Sequence, residues 1–338
     1  MKNILVIKLR YLGDVLLATP VFRALRERFP DARLTVAVSR GTEDILKGNP
    51  DLDEILVVER TGLAGQFRFV QELRRRRFDC VVDLTDGDRS AALAFCSGAP
   101  VRIGLNVEHR WRGLLCTQVV TPRAEAIHRI EHDLETLRPL GIEPKAGRPV
   151  LHISREEEAE AARLLDDVAG EPLSGGAKPL VMFQPGARYW FKAWPAERFS
   201  ALVDRLAGKY SCRVLIGGDP KERQLAETIR AQAASKPVVL AGRTTVRQYA
   251  AILKRCILFV GNDNGPMHMA AALGVPVVAF FGPSNPAEWG PRGGRTEVLY
   301  KGLDCRACFH PTCTKGEASC MKQISVDEAW NAVTRLMG

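Results

Sequence analysis

Short apolar runs, each followed by a segment of helical spacing, recur along the whole chain. Residues 3–7, 33–38, 54–58 and 80–84 read as strands, and residues 14–29, 42–47 and 67–76 between them carry helical periodicity. Runs of four to six apolar residues without polar alternation are strands buried on both faces. Such strands need helices above and below them, which implies a parallel, doubly wound sheet. Pro20 falls inside the first helical pattern and predicts a kink or a late helix start. The rhythm loosens over 139–154, where Gly141, Pro144, Gly147 and Pro149 fall. A charged helix over 155–168 and a loop over 170–179 follow. Alternation then restarts, with strands at 180–183, 213–216, 238–240, 257–260 and 275–280 and helices at 197–209, 222–234, 246–254 and 267–273. The chain therefore reads as α/β, with Rossmann-like domains over 1–154 and 155–324 and a last amphipathic helix within 325–338. Two such sheets place a substrate cleft between them, beyond the carboxyl ends of their strands.

Composition narrows the function classes. With 338 residues, 46% hydrophobic and 26% charged, the chain has material for two cores. No apolar stretch approaches the roughly 20 residues of a membrane span. Lys8 and Arg10 interrupt the first apolar run before an export signal could form, so a cytoplasmic location is expected. The net charge of +9 is shared by both halves of the chain, which fits an anionic substrate or membrane surface better than a dedicated nucleic-acid face. Arg74, Arg75, Arg76 and Arg77 are either a solvated helix end or a basic patch. Five cysteines (80, 96, 116, 212, 256) read as small core residues. Cys305, Cys308, Cys313 and Cys320 cluster, with a spacing that admits zinc, reduced thiols or a disulfide pair.

The segment Phe259-Val260-Gly261-Asn262-Asp263-Asn264-Gly265-Pro266-Met267-His268 is the strongest local signal. An apolar strand ends in small polar residues, and Pro266 opens a helix, as suits the first turn. Asp263 or Asn264 can cap that helix, and Gly265 permits close ligand approach. The turn can meet a phosphate with backbone N–H groups and the positive end of the helix dipole. His268, near that dipole end, reads as a neutral hydrogen-bonding group. Asp14 follows the first strand in Tyr11-Leu12-Gly13-Asp14; its position fits a helix cap or a base for a hydroxyl nucleophile. Arg188 and Lys192 flank aromatic residues before Trp194-Pro195 and can face a phosphate. The turns Gly217-Gly218-Asp219-Pro220-Lys221-Glu222 and Ala241-Gly242-Arg243 suit a ribose and a purine. Arg10, Asp86, Arg89 and Arg112, with Asp88 and His109 nearby, are candidate acceptor-side residues or exposed loop charges. No GxGxxG follows the first strand, so the dinucleotide fingerprint is missing.

Gly13-Asp14, Arg188 with Lys192-Ala193-Trp194-Pro195, Gly217-Gly218 with Glu222, and Asp263-x-Gly265-Pro266-x-His268 occur together and in order. This set resembles the bacterial lipopolysaccharide heptosyltransferases, glycosyltransferase family 9. The wording around Tyr11–Leu17 and Phe191-Lys192-Ala193-Trp194 is most similar to the branch that adds a third, side-branch heptose. The resemblance implies a GT-B fold, two Rossmann-like domains facing a central cleft, with the acceptor on the N-terminal domain and ADP-heptose on the C-terminal one. It implies inversion at the anomeric carbon, no required cofactor or metal, and peripheral attachment at the inner face of the cytoplasmic membrane. By motif, Asp14 is the general base and Lys192 stabilises the leaving ADP. Glu222 binds ribose, Asp263 the donor sugar, and the Gly265 turn the pyrophosphate, with Arg188, Gly242, Asn264 and His268 around the donor. Asn264 departs from the family, where a small hydroxyl residue often follows that aspartate. The competing expectations are another sugar-nucleotide transferase or epimerase, and a non-catalytic nucleotide-sugar binder.

Overall fold

The computed structural model describes residues 1–338 except 60–61, 126, 146, 174–177 and 304–312. The chain divides into two units, Met1–His152 and Ile153–Gly338.

The first unit holds strands β1 (Asn3–Ile7), β2 (Arg33–Ser39), β3 (Glu54–Val58), β4 (Cys80–Asp83), β5 (Val101–Leu105) and β6 (Gln118–Val120). Its helices are α1 (Leu12–Leu17), α2 (Thr19–Arg28), α3 (Leu63–Arg75), α4 (Asp88–Cys96) and α5 (Arg129–Glu135). All pairings are parallel, in the order β3-β2-β1-β4-β5-β6. The predicted helix over 14–29 is two helices. α1 ends at Leu17, and Pro20 stands in the first turn of α2, where its missing N–H costs nothing. The helix expected over 42–47 is only a 3-10 turn, Glu43–Leu46, bounded by Gly41 and Gly48 at φ +89° and +73°. β5, β6, α4 and α5 have no counterpart in the sequence reading; β6 has three residues, too few to show a period.

The second unit repeats the plan with β7 (Leu180–Gln184), β8 (Arg213–Ile216), β9 (Val238–Val239), β10 (Cys256–Asn262), β11 (Val277–Phe281) and β12 (Thr296–Tyr300). Its helices are α6 (Arg155–Ala169), α7 (Ala196–Tyr210), α8 (Arg223–Gln232), α9 (Val246–Lys254), α10 (Gly265–Ala272), α11 (Pro286–Trp289), α12 (Cys320–Gln323) and α13 (Val326–Met337). The order β12-β11-β10-β7-β8-β9 is again parallel throughout. Each unit thus has the doubly wound 3-2-1-4-5-6 arrangement, whose strand order reverses between β1 and β4 and between β7 and β10. Ligands settle at such switch points, beyond the carboxyl ends. The central strands are buried on both faces, as their unbroken apolar runs require. Trp194 anchors the second core. Its ring stacks on Phe280 at 4.4 Å, meets Phe199 edge-on, and its Nε1 donates to the Ile324 carbonyl at 2.9 Å. α13 packs Ala329, Trp330, Val333 and Leu336 into the same core.

Candidate active site

In the first unit, Asp14 lies in the first turn of α1, beyond the carboxyl end of β1, half-buried. Its Oδ2 accepts the Tyr11 N–H at 2.9 Å, so it caps the helix from the third helical position. One oxygen is thereby oriented while the group stays open to solvent. Beneath it lies a charge cluster that the sequence reading missed. Lys8, 1% exposed, donates to Asp133 Oδ2 at 2.7 Å and to the Leu84 carbonyl at 3.0 Å. Arg129 donates to Asp133 Oδ1 at 2.6 Å and to the same carbonyl at 2.7 Å. Two cations on one carboxylate leave a net positive charge, and the Asp14 carboxylate acts electrostatically on both Lys8 and Arg129. Burial pushes the Lys8 ammonium below its ordinary value, and Asp133 opposes the shift. Stripping one partner from such a buried pair costs about 3–5 kcal/mol. The available signal was a lysine directly after an all-apolar strand.

Asp83, the last residue of β4, is also buried. Its carboxyl is pushed up to about 6, chiefly by desolvation, although the Thr85 N–H donates to it at 2.8 Å. Among the proposed acceptor residues, Arg112 is only 4% exposed. It donates to Asp86 Oδ1 at 3.0 Å and Glu108 Oε2 at 2.9 Å, with Asp88 at 3.5 Å. It is an internal counter-ion that shapes the loops after β4 and β5. Asp86 sits at φ +50°, a left-handed conformation that aspartate tolerates. Arg89 donates to the Glu59 carbonyl at 2.7 Å, and Arg10 is exposed, with its guanidinium 5.9 Å from the Tyr11 ring centroid.

In the second unit the switch point is bolted by asparagine side chains. Asn262, fully buried, accepts the Trp194 N–H at 3.1 Å and donates to the Pro185 carbonyl at 2.7 Å. Asn264 accepts the Met267 N–H at 3.1 Å, which caps α10, and donates to the Gly186 carbonyl at 2.9 Å. The departure from a hydroxyl residue therefore keeps the cap and adds a tie to the loop after β7. Pro266 has no N–H and the Met267 N–H is taken, so the first turn offers an anion less than the sequence reading expected. Lys192 ends a 3-10 turn, Trp190–Lys192, and its Nζ meets Asp263 Oδ2 at 2.6 Å. Asp263 is nearly buried while Lys192 keeps a solvent-facing edge, so the ammonium is held in one orientation at the surface. Arg188 is exposed, with its guanidinium 5.7 Å from the Tyr189 ring centroid, and Tyr189 stacks on Phe191.

Glu222 is held by the Gln184 amide at 3.0 Å and by the Asp219 N–H at 3.0 Å. Burial raises its carboxyl above the ordinary value, and the Asp219 N–H partly offsets this. Tyr249 donates to Gln184 Oε1 at 3.1 Å and completes a Tyr249–Gln184–Glu222 chain; the sequence gives Gln184 a place in the turn after β7 but no role, and Tyr249 none. A Cβ at Gly186 would overlap the Glu222 carboxylate, so any side chain there would push that carboxylate off its Gln184 and Asp219 partners. Gly242, at φ +71°, donates its N–H to the Gly218 carbonyl at 3.0 Å and joins the two glycine turns. His268 is buried in the first turn of α10.

Cys305 and Cys308 lie outside the described residues. Cys313 is half-buried, Cys320 belongs to the second core, and among the described residues no His, Cys, Asp or Glu group could hold a metal ion. Cys80, Cys212 and Cys256 are buried core thiols, pushed up to about 12, 11 and 12 by desolvation.

Comparison with known proteins agrees with this fold. The chain is 30% identical over 295 residues to lipopolysaccharide heptosyltransferase 3 of Escherichia coli, covering 84% of each. The crystal structure of a family 9 glycosyltransferase from Veillonella parvula superposes with a TM-score of 0.86 at 26% identity, covering 99% of this chain and 97% of that one. The E. coli ADP-heptose lps heptosyltransferase II gives 0.82 at 24% identity over 100% and 98%, a likeness of fold. The family described as glycosyltransferase family 9 (heptosyltransferase) matches residues 66–319. The two doubly wound units are thus a shared fold, and the chain belongs to glycosyltransferase family 9, the heptosyltransferases.

Proposed function

We propose that this enzyme transfers L-glycero-D-manno-heptose from ADP-heptose to a hydroxyl of the lipopolysaccharide inner core, with inversion, at the cytoplasmic face of the inner membrane. The observation that carries this reading is the Lys192–Asp263 pair beside the Gln184-held Glu222, at the carboxyl ends of the second sheet. A cation for a diphosphate and a carboxylate for ribose hydroxyls stand there on rigid supports. The acceptor class follows from the kinship with lipopolysaccharide heptosyltransferase 3.

In the step itself, the acceptor oxygen attacks the anomeric carbon and its proton passes to the Asp14 carboxylate. The bond from that carbon to the diphosphate oxygen breaks, and ADP departs with the electron pair. Lys192 meets the charge that grows on the leaving phosphate, Asp263 holds Lys192 and faces the sugar, and Glu222 accepts from ribose hydroxyls. Arg188 and the Gly265 turn add positive potential near the diphosphate. Arg10 and Arg89 face acceptor phosphates, while Asp86 and Arg112, paired with each other, shape the loop after β4.

ADP release from ADP-heptose, with and without heptose-truncated lipopolysaccharide, tests the reading. Release should depend on acceptor and fall about 10²–10⁴-fold in Asp14→Asn. Asparagine still accepts the Tyr11 N–H, so the cap survives and the loss reports chemistry. Unchanged turnover in Asp14→Asn would remove Asp14 as the base. Donor binding without release under any acceptor would favour a binding protein.

A further inference from the structure

One face of the first unit carries features that the transfer reaction does not use. Arg74, Arg75 and Arg77 are exposed at the end of α3, and among the described residues none of them is in an ion pair. The Arg74 Nε donates to the Cys96 carbonyl at 3.0 Å, so this end of α3 lies against the end of α4. Phe95, the neighbour of Cys96, is 51% exposed, and the Arg102 guanidinium lies 5.6 Å from its ring centroid. Arg102 also donates to the Leu115 carbonyl at 2.9 Å, which places the 3-10 turn Trp111–Leu115 beside Phe95. On that turn Arg112 points inward to its carboxylates. Trp111 and Leu114, three residues apart and so on one edge, are 56% and 86% exposed.

The acids nearby are already engaged. Asp88 and Glu108 pair with Arg112, and Glu72 pairs with Arg76. Asp86, Asp88 and Glu108 share Arg112, and Glu108 also meets Arg110, so in Arg74, Arg75 and Arg77 this face carries exposed cations that no acid among the described residues engages, set beside protruding apolar tips. A cavity of about 430 Å³ opens between α3 and α4, lined in part by Phe69, Val70, Ala92 and Leu93. A protein partner would present charges of both signs, whereas a lipid interface is uniformly negative over an apolar layer. We infer that this face, with Phe95, Trp111 and Leu114 as its apolar tips and Arg74, Arg75 and Arg77 as its cations, docks on an anionic lipid bilayer. No helix among the described residues is long and apolar enough to cross a membrane, so the attachment is interfacial. The inference rests on the proposed lipid-linked acceptor for its purpose.

Vesicle flotation of the full chain tests it, using phosphatidylcholine alone against phosphatidylcholine with phosphatidylglycerol, both free of saccharide. Binding should require the anionic lipid and weaken as salt rises. The R74Q/R75Q/R77Q variant should lose roughly fivefold per arginine, about 100-fold in all. Leu114→Ser should lose about tenfold, from apolar area no longer buried. Both variants should keep their melting temperature and their transfer rate on a detergent-solubilised acceptor. Equal flotation with neutral and anionic vesicles, no flotation, or flotation of both variants like the parent would overturn the inference. The soluble assay reads the proposed transfer separately, so either idea can fail alone.

Discussion

Asp83 shows how a single buried carboxyl links stability to pH. Its folded value of about 6 lies above the ordinary aspartate value of 3.8, so between those values the folded state holds a proton that the unfolded state has released. Stability from this group is therefore lost as pH rises from about 4 to about 6, and the cost is full above that, about 3 kcal/mol. Replacement by asparagine removes the ionisation. The melting temperature of Asp83→Asn should exceed that of the parent at pH 7, and the two should converge near pH 4. Parallel curves across that range would show that Asp83 does not titrate there. Other residues were legible from the chain alone. Asp14, Lys192, Glu222 and Asp263 all stand in turns after apolar runs. The roles of Lys8, Asp133, Gln184 and Tyr249 were not legible, because Lys8 meets Asp133 across 125 residues of chain and Tyr249 meets Gln184 across 65.

At the scale of elements, the start of α10 is tied to the loop after β7. Asn264 caps it and also reaches the Gly186 carbonyl, so one side chain fixes a helix start and the loop after β7. Asn264→Ala should cost about 1 kcal/mol of stability through the cap. It should also weaken ADP binding, because Gly186 lies against Glu222. Calorimetric titration with ADP and a urea melt read these effects separately; unchanged ADP affinity would mean that the Gly186 tie does not position the site. The turn around Arg112 teaches the opposite lesson about reading charge. A basic loop looked like an acceptor-side cation, but carboxylates from the loop after β4, the start of α4 and its own turn converge on Arg112 and neutralise it. Partners folded in from another loop decide whether an arginine is a ligand or a strut.

At the scale of the molecule, the two units carry separate cores and separate switch points. All the proposed donor residues, from Arg188 to His268, lie within Ile153–Gly338. That unit expressed alone should unfold cooperatively and retain ADP binding within about tenfold of the full chain, near 1.4 kcal/mol. Calorimetry checks both, and a fragment that folds but no longer binds ADP would move part of the nucleotide site to the first unit. The sequence by itself determined the α/β class, the doubled strand–helix rhythm and the positions of the turns that hold Asp14, Lys192, Glu222 and Asp263. These are local properties, written in apolar run length, glycine and proline placement, and polar residues at strand ends. Only the tertiary structure decided the strand order that creates the switch points, the neutralisation of Arg112, the Lys8–Asp133–Arg129 cluster and the Lys192–Asp263 pair. Those depend on which distant segments lie side by side, and hydrogen bonds and ion pairs act only over a few ångströms.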